Sequence, residues 1–600
     1  MIVDEKKGGW KRFQRLKFDS KNLSKRARRA ETMTTKHARK FVLQRFKNIR
    51  DVRQHVTLWL FGVAVLIGAI GLQMLWYQEG YKTETAVSGG TYAEAVQGPI
   101  DTLNPLYART EAEQSASRLI FSGLFNYDQT GHLRSDIATG YTIDPTKKIY
   151  TVTLRSGATW QDGAPLTADD VVFTVNLMKN PSARALMHSS WTDIMAEASS
   201  PTTVKFTLPA AYAAFPQALT FSILPKHVLS SIDPGSLRQN VFSLSPTGSG
   251  PFSFRLLQSV NASGTDKILY LNARKDFYLG APKLARFELH VYADNAEIEK
   301  ALQSHSVNAG ITTNLKTNPL SGAFDSALYP INSGVYALFN MSSPLLKDTA
   351  IRKALQIGTD TDAVRKKIGD VPALDLPFIA SQVEGVALPS KPAYDFEAAK
   401  KMLDTAGWKL VPGSDIRKNN SGQPLQLRLV ATKDASYHDI LSALKDQWQK
   451  LGIDVQVAEF DTSQAGQSFA KAILQPRAYD VLVNKLAIGA DPDVFAYWHS
   501  SQANPSGLNF SNYQNGLVDD ALLSARLRDE SNLRAYKYQT FAAQWLGDAP
   551  AIGLYQSVIR YTHTSQSSAL TQQVILPSAS DRYENVLYWT ADRNQVYKTP

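Results

Sequence analysis

A few residues of this sequence have the types and spacing that catalysis would require. Ser442 and Lys445 are spaced as in the Ser-x-x-Lys arrangement of a serine nucleophile and its base. Paired carboxylates, which can act as general acid and base across a substrate, occur at Asp169-Asp170, Asp491/Asp493 and Asp519-Asp520. However, Ser442 falls within an amphipathic helical pattern, and carboxylates adjacent in sequence are typical of helix caps and turns. We therefore interpret none of these residues as catalytic.

Metal and cofactor chemistry also lacks support in the sequence. There are no cysteines, which excludes thiolate ligands, disulfides, a cysteine nucleophile and a lipid-modified cysteine anchor. The 10 histidines are scattered without ligand spacing. A haem or nickel role would fall on His188 or His499, but an isolated histidine is more often structural. No Walker A motif is present, so the chain is not an ATPase of that class. The sequence predicts a protein with no enzymatic activity, no cofactor and no metal.

The positive charge of the chain is confined to its N-terminal tail. The net charge is +11, and residues 1–55 hold 18 Lys/Arg against 5 Asp/Glu. The remaining 545 residues carry 47 basic and 49 acidic side chains. Because this main body is nearly neutral, we expect it to bind no nucleic acid. The tail fits a topology signal that also contacts anionic lipid, with RNA or DNA binding as the alternative.

Residues 56–78 form an uncharged run that is long enough to cross a membrane. As a helix, these 23 residues would extend roughly 35 Å, and a hydrocarbon core is about 30 Å thick. Trp59 lies near one end, and Trp76 and Tyr77 lie at the other, as in an aromatic belt. The basic region before the run is longer than in a cleaved signal peptide. We therefore predict an uncleaved single-pass anchor, with the tail in the cytoplasm and the main body outside the cell membrane.

Strand and helix patterns alternate irregularly through the main body. Residues 150–154 alternate apolar and polar side chains as a half-buried strand does, and Asp162-Gly163 predicts a hairpin. Thr167 fits the N-cap of a helix whose first turn holds two acids. Further helices are predicted over 395–406 and 438–451, and strands over 425–430, 453–457 and 479–483. This strand–helix–strand order predicts an α/β domain with partly parallel strands.

Residues 154–175 (LRSGATWQDGAPLTADDVVFTV) resemble the signature of solute-binding proteins family 5, the peptide/nickel class of ABC importers. The strand end, the glycine turn, the aromatic residue, Asp-Gly and the capped helix follow at the family's intervals. Residues 119–125 are similar to the family's first helix. Other similar segments follow in order within about residues 88–565: 89–91, 101–105, 246–252, 272–280, 339–340, 351–355, 491–501 and 548–555.

The resemblance implies a periplasmic-binding-protein-like fold of two α/β lobes joined by a hinge, with an extra subdomain in the first lobe. We expect the transmembrane helix predicted above to precede this fold. The expected domains are a basic cytoplasmic tail (1–55), the transmembrane helix (56–78), a linker (79–90), the first part of lobe I (91–126), its extra subdomain (127–265), its second part (266–342), lobe II (343–555) and the return to lobe I with the C-terminus (556–600). The chain would cross between lobes near residues 343 and 555.

The resemblance also implies solute capture without catalysis. The lobes would close on a solute, expected to be a peptide, and deliver it to an ABC permease driven by its ATPase. In peptide-binding members, the ligand backbone pairs with strand edges of both lobes, which gives affinity without reading side chains. The implied binding residues are Ala108, Thr110, Glu111 and Ala112 in lobe I, Ala487, Ile488, Gly489 and Asp491 in lobe II, and Trp160, Asn340 and Trp498. Glu111 would receive a ligand cation or be a solvated loop acid. Trp160 and Trp498 would line side-chain pockets or belong to the core.

One departure from the family pattern concerns the α-amino group of a peptide ligand. Dipeptide and oligopeptide binders place an aspartate in the lobe II loop a few residues before Asp-Pro-Asp, and residues 485–493 (KLAIGADPD) lack it. Either Asp491 substitutes, or the amine is not anchored in this way and the solute is a longer peptide, a sugar or another compound. The long basic tail, which an importer does not need, motivates a further alternative: a membrane-tethered scaffold or sensor that does not transport.

Overall fold

The computed structural model of the chain describes residues 36, 49–261, 264–316, 320, 322–461, 468–570 and 574–597. The helices are α1 Ile49–Tyr81, α2 Glu111–Ile120, α3 Ala168–Lys179, α4 His188–Trp191, α5 Phe215–Ala218, α6 Lys226–Leu229, α7 Asn295–Gln303, α8 Thr349–Ile357, α9 Thr361–Ile368, α10 Phe396–Thr405, α11 Ala435–Lys450, α12 Phe495–Trp498, α13 Gly516–Leu527 and α14 Ser531–Asp548. The strands are β1 Lys82–Val87, β2 Thr91–Gln97, β3 Phe125–Tyr127, β4 Leu133–Ser135, β5 Ala138–Ile143, β6 Ile149–Leu154, β7 Met195–Ser200, β8 Thr203–Thr207, β9 Phe252–Ser259, β10 Lys267–Ala273, β11 Arg286–Tyr292, β12 Ala309–Thr312, β13 Phe324–Phe339, β14 Lys409–Leu410, β15 Arg417–Lys418, β16 Gln426–Thr432, β17 Asp454–Phe460, β18 Val481–Ala487, β19 Ala551–Thr564 and β20 Asp592–Tyr597. Short helical turns include Pro105–Tyr107, Ala380–Gln382, Ala470–Leu474, Ser500–Gln502, Ala579–Tyr583 and Val586–Tyr588.

The chain forms two compact units, residues 1–85 with 595–600 and residues 86–594. In the first unit, α1 is 33 residues long, and its stretch Arg53–Trp76 is long and apolar enough to cross a membrane. The helix predicted over 56–78 is therefore confirmed as a helix. The segment 79–90, expected as a linker, instead contains the end of α1 and the strand β1. Alternating threonines and a valine in β1 favour the extended conformation.

Two long antiparallel strands, β13 and β19, lie at the centre of the largest sheet of the second unit. Among the described residues, ten strands form this sheet in the order β17-β16-β18-β13-β19-β12-β2-β11-β10-β9. Strand β16 pairs in parallel with β17 and β18, and β2 pairs in parallel with β11 and β12. The predicted α/β class with partly parallel strands is confirmed.

The hydrophobic core divides along these two central strands. One buried cluster includes Ile331 of β13 and Ile559 of β19, whereas another includes Val335 and Val558. We call the part of the second unit up to residue 331 and from 559 lobe I, and residues 335–558 lobe II. The regular pairing of β13 with β19 is interrupted between Pro330 and Gly334, at the boundary between the two cores. The crossings expected near residues 343 and 555 lie on the lobe II side of this boundary.

A four-stranded sheet in the order β5-β6-β8-β7 builds the region that the resemblance assigned to an extra subdomain, 127–265. Within the same range, β9 belongs to the ten-stranded sheet instead. The helix expected over 119–125 is wrong beyond Ile120, where α2 ends. Gly123 forms a bridge to Ser222, and a Cβ there would meet backbone oxygens at 3.0 Å. The chain at Gly123 therefore packs closely against a neighbouring segment and does not continue the helix.

Local sequence signals placed most other elements correctly. The strand over 150–154 is β6, and the predicted cap at Thr167 is present, with its N–H donating to the Asp170 carboxylate at 2.8 Å. The helix over 395–406 is α10. The helix expected from 438 begins at Ala435, because Asp434 caps it by accepting the Ser436 N–H at 2.9 Å. The hairpin expected at Asp162-Gly163 is a tight turn closed by one isolated bridge.

Candidate functional site

Two cavities lie where residues of lobe I and lobe II face each other. Cavity A, of about 530 Å³, is lined by Gln97, Glu111 and Ile311 of lobe I, by Lys433, Tyr437 and Lys485 of lobe II, and by Tyr555 and Ser557 of β19. Cavity B, of about 370 Å³, is lined by Leu106, Ala108, Tyr127 and Phe221 of lobe I and by Ala487 and Gly489 of lobe II. Small-molecule sites commonly measure about 300–1,000 Å³. Each cavity is therefore large enough to hold part of a solute.

One strand and one C-terminal segment contribute to both cavities. On β18, Lys485 lines cavity A and Ala487 lines cavity B. In the C-terminal return, Ala579 lines cavity A, whereas Ser578 and Asp581 line cavity B. The two cavities are thus neighbouring parts of one cleft between the lobes.

The lobe II edge over Ala487, Ile488 and Gly489 lies at the cleft, but much of its backbone is already hydrogen-bonded. The N–H groups of Ile488 and Gly489 both donate to the carbonyl oxygen of Asn332 at 2.9 Å. The Gly489 carbonyl accepts from Gln382 at 2.7 Å, and the Ala487 carbonyl accepts from the Tyr497 hydroxyl at 2.8 Å. Ile488 itself is buried. What this edge offers to cavity B is chiefly the surface of Ala487 and Gly489.

The residues of the lobe I edge over 108–112 have three different roles. Ala108 lines cavity B and Glu111 lines cavity A. Thr110 is the N-cap of α2, since its Oγ1 accepts the Glu113 N–H at 3.1 Å and donates to the Pro99 carbonyl at 2.8 Å. Ala112 is fully buried in the core of lobe I. The structure therefore brings only Ala108 and Glu111 of this edge to the cleft.

Glu111 belongs to a buried cluster that we call the Arg582 cluster, made of Glu94, Glu111 and Arg582. Arg582 is fully buried and contacts both Glu94 and Glu111 at 2.6 Å. Glu94 also accepts a hydrogen bond from the Tyr561 hydroxyl at 2.9 Å. The Glu111 side chain is 27 % exposed at the edge of cavity A. Burial raises the pKa of Glu111, which the charge and hydrogen bond of Arg582 oppose. Glu111 is thus engaged inside the protein rather than being a solvated loop acid.

The aspartates of the lobe II loop are also engaged by arginines. Both carboxylate oxygens of Asp491 contact the Arg534 guanidinium, at 2.7 and 2.8 Å. Asp493 accepts from the Arg526 Nε at 2.8 Å. A bidentate arginine satisfies a carboxylate in both geometry and charge. The charge of Asp491 is therefore already balanced by Arg534. In addition, Asp491 lines neither cavity A nor cavity B.

Three other predicted site residues lie away from the cleft. Trp160 is fully buried in the core of lobe I, and Trp498 is buried in lobe II against Trp545, with ring centroids 5.5 Å apart. Both tryptophans therefore belong to the core and do not line side-chain pockets of the cleft. Asn340 is buried at the end of β13 and donates to the Tyr479 carbonyl at 3.0 Å. It lines a separate polar cavity of about 780 Å³ formed within lobe II.

Direct contacts between the lobes, which we call the rim contacts, involve residues outside the linings of the two cavities. The Arg526 guanidinium of lobe II lies 4.9 Å from the ring centre of Tyr212 in lobe I. The backbone carbonyl of Arg526 also accepts a hydrogen bond from the Ala213 N–H at 2.8 Å. Nearby, the Lys147 ammonium of lobe I pairs with Asp529 of lobe II. These contacts join lobe I to lobe II outside the two cavities.

Sequence reasoning missed Lys485, Tyr437 and Ser557, which line cavity A, and the Arg118–Asp581 ion pair beside cavity B. Lys485 and the predicted Ala487 share the exposed side of β18. The period-two alternation of a strand was therefore a usable signal for Lys485. Ser557 and Asp581 gave no comparable signal, because their positions depend on the return of the chain from lobe II.

Two lobes that enclose ligand-sized cavities and are joined by two crossing strands define the class of two-lobed periplasmic binding proteins. Among solved structures, NikZ of Campylobacter jejuni in complex with Ni(L-His) is similar, with a TM-score of 0.70 and 24% identity over 83% of this chain and 99% of that one. The oligopeptide-binding protein AppA of Bacillus subtilis in complex with a nonapeptide has a TM-score of 0.69 and 23% identity, covering 84% of this chain and 99% of that one.

Sequence comparison identifies the family within this class. The AppA sequence is 26% identical over 484 residues, which are 78% of this chain and 86% of AppA. The profile described as "Bacterial extracellular solute-binding proteins, family 5 Middle" matches residues 132–507, more than half of the chain. The chain belongs to family 5 of the bacterial extracellular solute-binding proteins.

Proposed function

We propose that the protein captures peptides in the cleft between its lobes and delivers them to an ABC import permease. Support comes from the two cavities, which together offer a cleft with lobe I and lobe II on opposite sides. The similar protein AppA is an oligopeptide-binding protein. Lobe closure around such a cleft captures the solute without chemical change, so we assign no catalytic residue. Ala108, Ala487 and Gly489 would contact the peptide in cavity B.

Peptide capture is tested by native mass spectrometry of the full-length protein, purified gently in detergent and measured before and after unfolding. We expect a set of bound peptides that is released on unfolding, because a ligand held only by the folded state leaves with it. A protein without bound species, whose melting temperature no peptide mixture raises, would contradict the proposal. A bound non-peptide solute would contradict only the peptide part.

We further propose that α1 anchors the protein, with the basic tail in the cytoplasm and residues 86–594 outside. The apolar stretch Arg53–Trp76 follows a tail with 18 basic residues within 1–55, and basic flanks stay on the cytoplasmic side. Protease treatment of intact cells, or of spheroplasts where an outer membrane is present, is expected to digest the main body and to spare the tail. Protection of the main body would overturn this topology.

A further inference from the structure

A row of rings and charges runs from His499 of lobe II to Tyr212 of lobe I. The His499 imidazole stacks on the Phe495 ring, with ring centres 4.0 Å apart, and the Arg526 guanidinium lies 4.1 Å from the centre of the same ring. Arg526 then contacts Tyr212 across the lobes. The two distances from Phe495 place the imidazole and the guanidinium within about 8 Å of each other, where salt screens charges only in part. A charge on His499 therefore acts on the guanidinium that forms the rim contact.

The hydrogen bonds of the His499 ring require its neutral form. Its Nδ1 atom accepts the Ser501 N–H at 3.1 Å and so caps the short helical turn Ser500–Gln502. The proton of the neutral ring is therefore on Nε2, which lies 3.8 Å from the Asp519 carboxylate. To become an imidazolium, the ring must take a proton on Nδ1, which then no longer accepts from Ser501. Protonation thus removes the cap of this turn and also adds a positive charge.

Within the described part of the chain, Asp519 and Arg526 of α13 are the charged groups that act on His499. Burial lowers the pKa of His499 from the ordinary 6.5; the Asp519 charge opposes this shift, and the Arg526 charge adds to it. Asp493 is already paired with Arg526. On the lobe I side, burial and the Asp493 carboxylate raise the pKa of Tyr212, which therefore stays neutral. These surroundings favour the neutral imidazole over the imidazolium.

We propose that His499 is a proton-sensitive positioning residue: its neutral ring supports the contact of Arg526 with Tyr212, and its protonation weakens that contact. When the lobes separate, water reaches Arg526 and His499, and the imidazolium becomes less costly. By linkage, protons therefore favour the separated lobes. A solute in the cleft is thus held more firmly near neutral pH and released faster in acid. This coupling goes beyond the proposed capture and does not depend on which solute the cleft takes.

The test follows the amide of Ala213, whose N–H donates to the Arg526 carbonyl across the lobes, by hydrogen exchange and mass spectrometry on the full-length protein in detergent. Exchange is compared at about pH 8 and about pH 5, the range over which histidine changes its charge, after correction for the intrinsic rate at each pH. We expect roughly tenfold faster corrected exchange at about pH 5, as for the loss of one cation–π contact. Equal corrected rates at the two pH values would overturn the inference.

His499→Asn separates protonation from capping, because asparagine caps a helical turn but does not take up a proton. We expect this variant to show the same slow exchange at Ala213 at both pH values. His438→Asn, at an exposed histidine of α11 that contacts Glu459, is the matched control and should respond to pH as the unaltered protein does. A His499→Asn variant that still exchanges faster in acid would contradict the role of His499. Equally accelerated exchange of the amides of the buried strand β18 would show that acid unfolds lobe II instead, which also overturns the inference.

Discussion

The Arg582 cluster and the rim contact at Arg526 both depend on a guanidinium, but they have different roles. Arg582 is fully buried and joins β2, α2 and the C-terminal turn within lobe I. Arg526 is 30% exposed, pairs with Asp493 in its own lobe and faces the Tyr212 ring of the other lobe. Burial makes the first arrangement part of the fold, because its charges have no water to return to. Exposure and a position between lobes make the second a contact that can be lost without unfolding either lobe.

The largest effect is expected from Arg582→Met. This change leaves Glu94, which is fully buried, without its counter-charge, and breaking a buried pair in this way costs about 3–5 kcal/mol. Urea unfolding should show a correspondingly lower free energy of unfolding. Arg255→Met, at an exposed position on β9, is the control and should change it little. A similar small effect for both variants would show that the Arg582 cluster does not hold lobe I together.

Tyr212→Ala is expected to act on closure instead of on folding. It removes the lobe I side of the rim contact and leaves the Arg526–Asp493 pair in place. A cation–π contact contributes about 0.5–2 kcal/mol, so bound peptide should be released up to roughly thirtyfold faster in stopped-flow measurements. Tyr588→Ala, at a tyrosine that is 64% exposed in lobe I, controls for loss of a ring. An unchanged release rate would mean that the rim contact does not secure the closed cleft.

Glu111→Gln tests the Arg582 cluster through the pH dependence of the protein's stability. Burial raises the folded-state pKa of Glu111 above the ordinary value of 4.5, so its contribution to stability is fully present below that value and is lost as pH rises through the folded pKa. The variant lacks this titration. Its melting temperature relative to the unaltered protein should therefore rise from acidic to neutral pH. Glu384→Gln, at an exposed position, should show no such trend, and a falling difference for Glu111→Gln would contradict the assigned direction.

Lys147→Ala is expected to have the smallest effect. The Lys147–Asp529 pair crosses the rim, but its side chains are 39% and 50% exposed, and exposed pairs contribute little. Peptide release should accelerate less than for Tyr212→Ala, and the difference should vanish at high salt because exposed charges are screened. An effect that persists at high salt would indicate that Lys147 does not act through its charge, and a larger effect than that of Tyr212→Ala would contradict this ranking. Lys205→Ala in β8 serves as the control.

The elements of the fold were largely predictable because their signals are local. Caps such as Thr167 and Asp395, and the alternation in β6, act within a few residues of the chain. The signature over 154–175 indicated the family, and the profile match over 132–507 confirms that assignment. The start of α11 and the end of α2 were wrong because a neighbouring cap or a packed glycine decided them.

The sequence by itself determined the family, the α/β class and an apolar helix long enough to span a membrane. Only the tertiary structure decided which charges are free at the cleft. Glu94 and Arg582 are 488 positions apart, and Glu111 and Arg582 are 471 apart. A local pattern cannot indicate that such distant side chains neutralise each other. For the same reason, Glu111 and Asp491 read as available acids in the sequence, whereas the folded chain pairs both with arginines and leaves Lys485 exposed in the cavity.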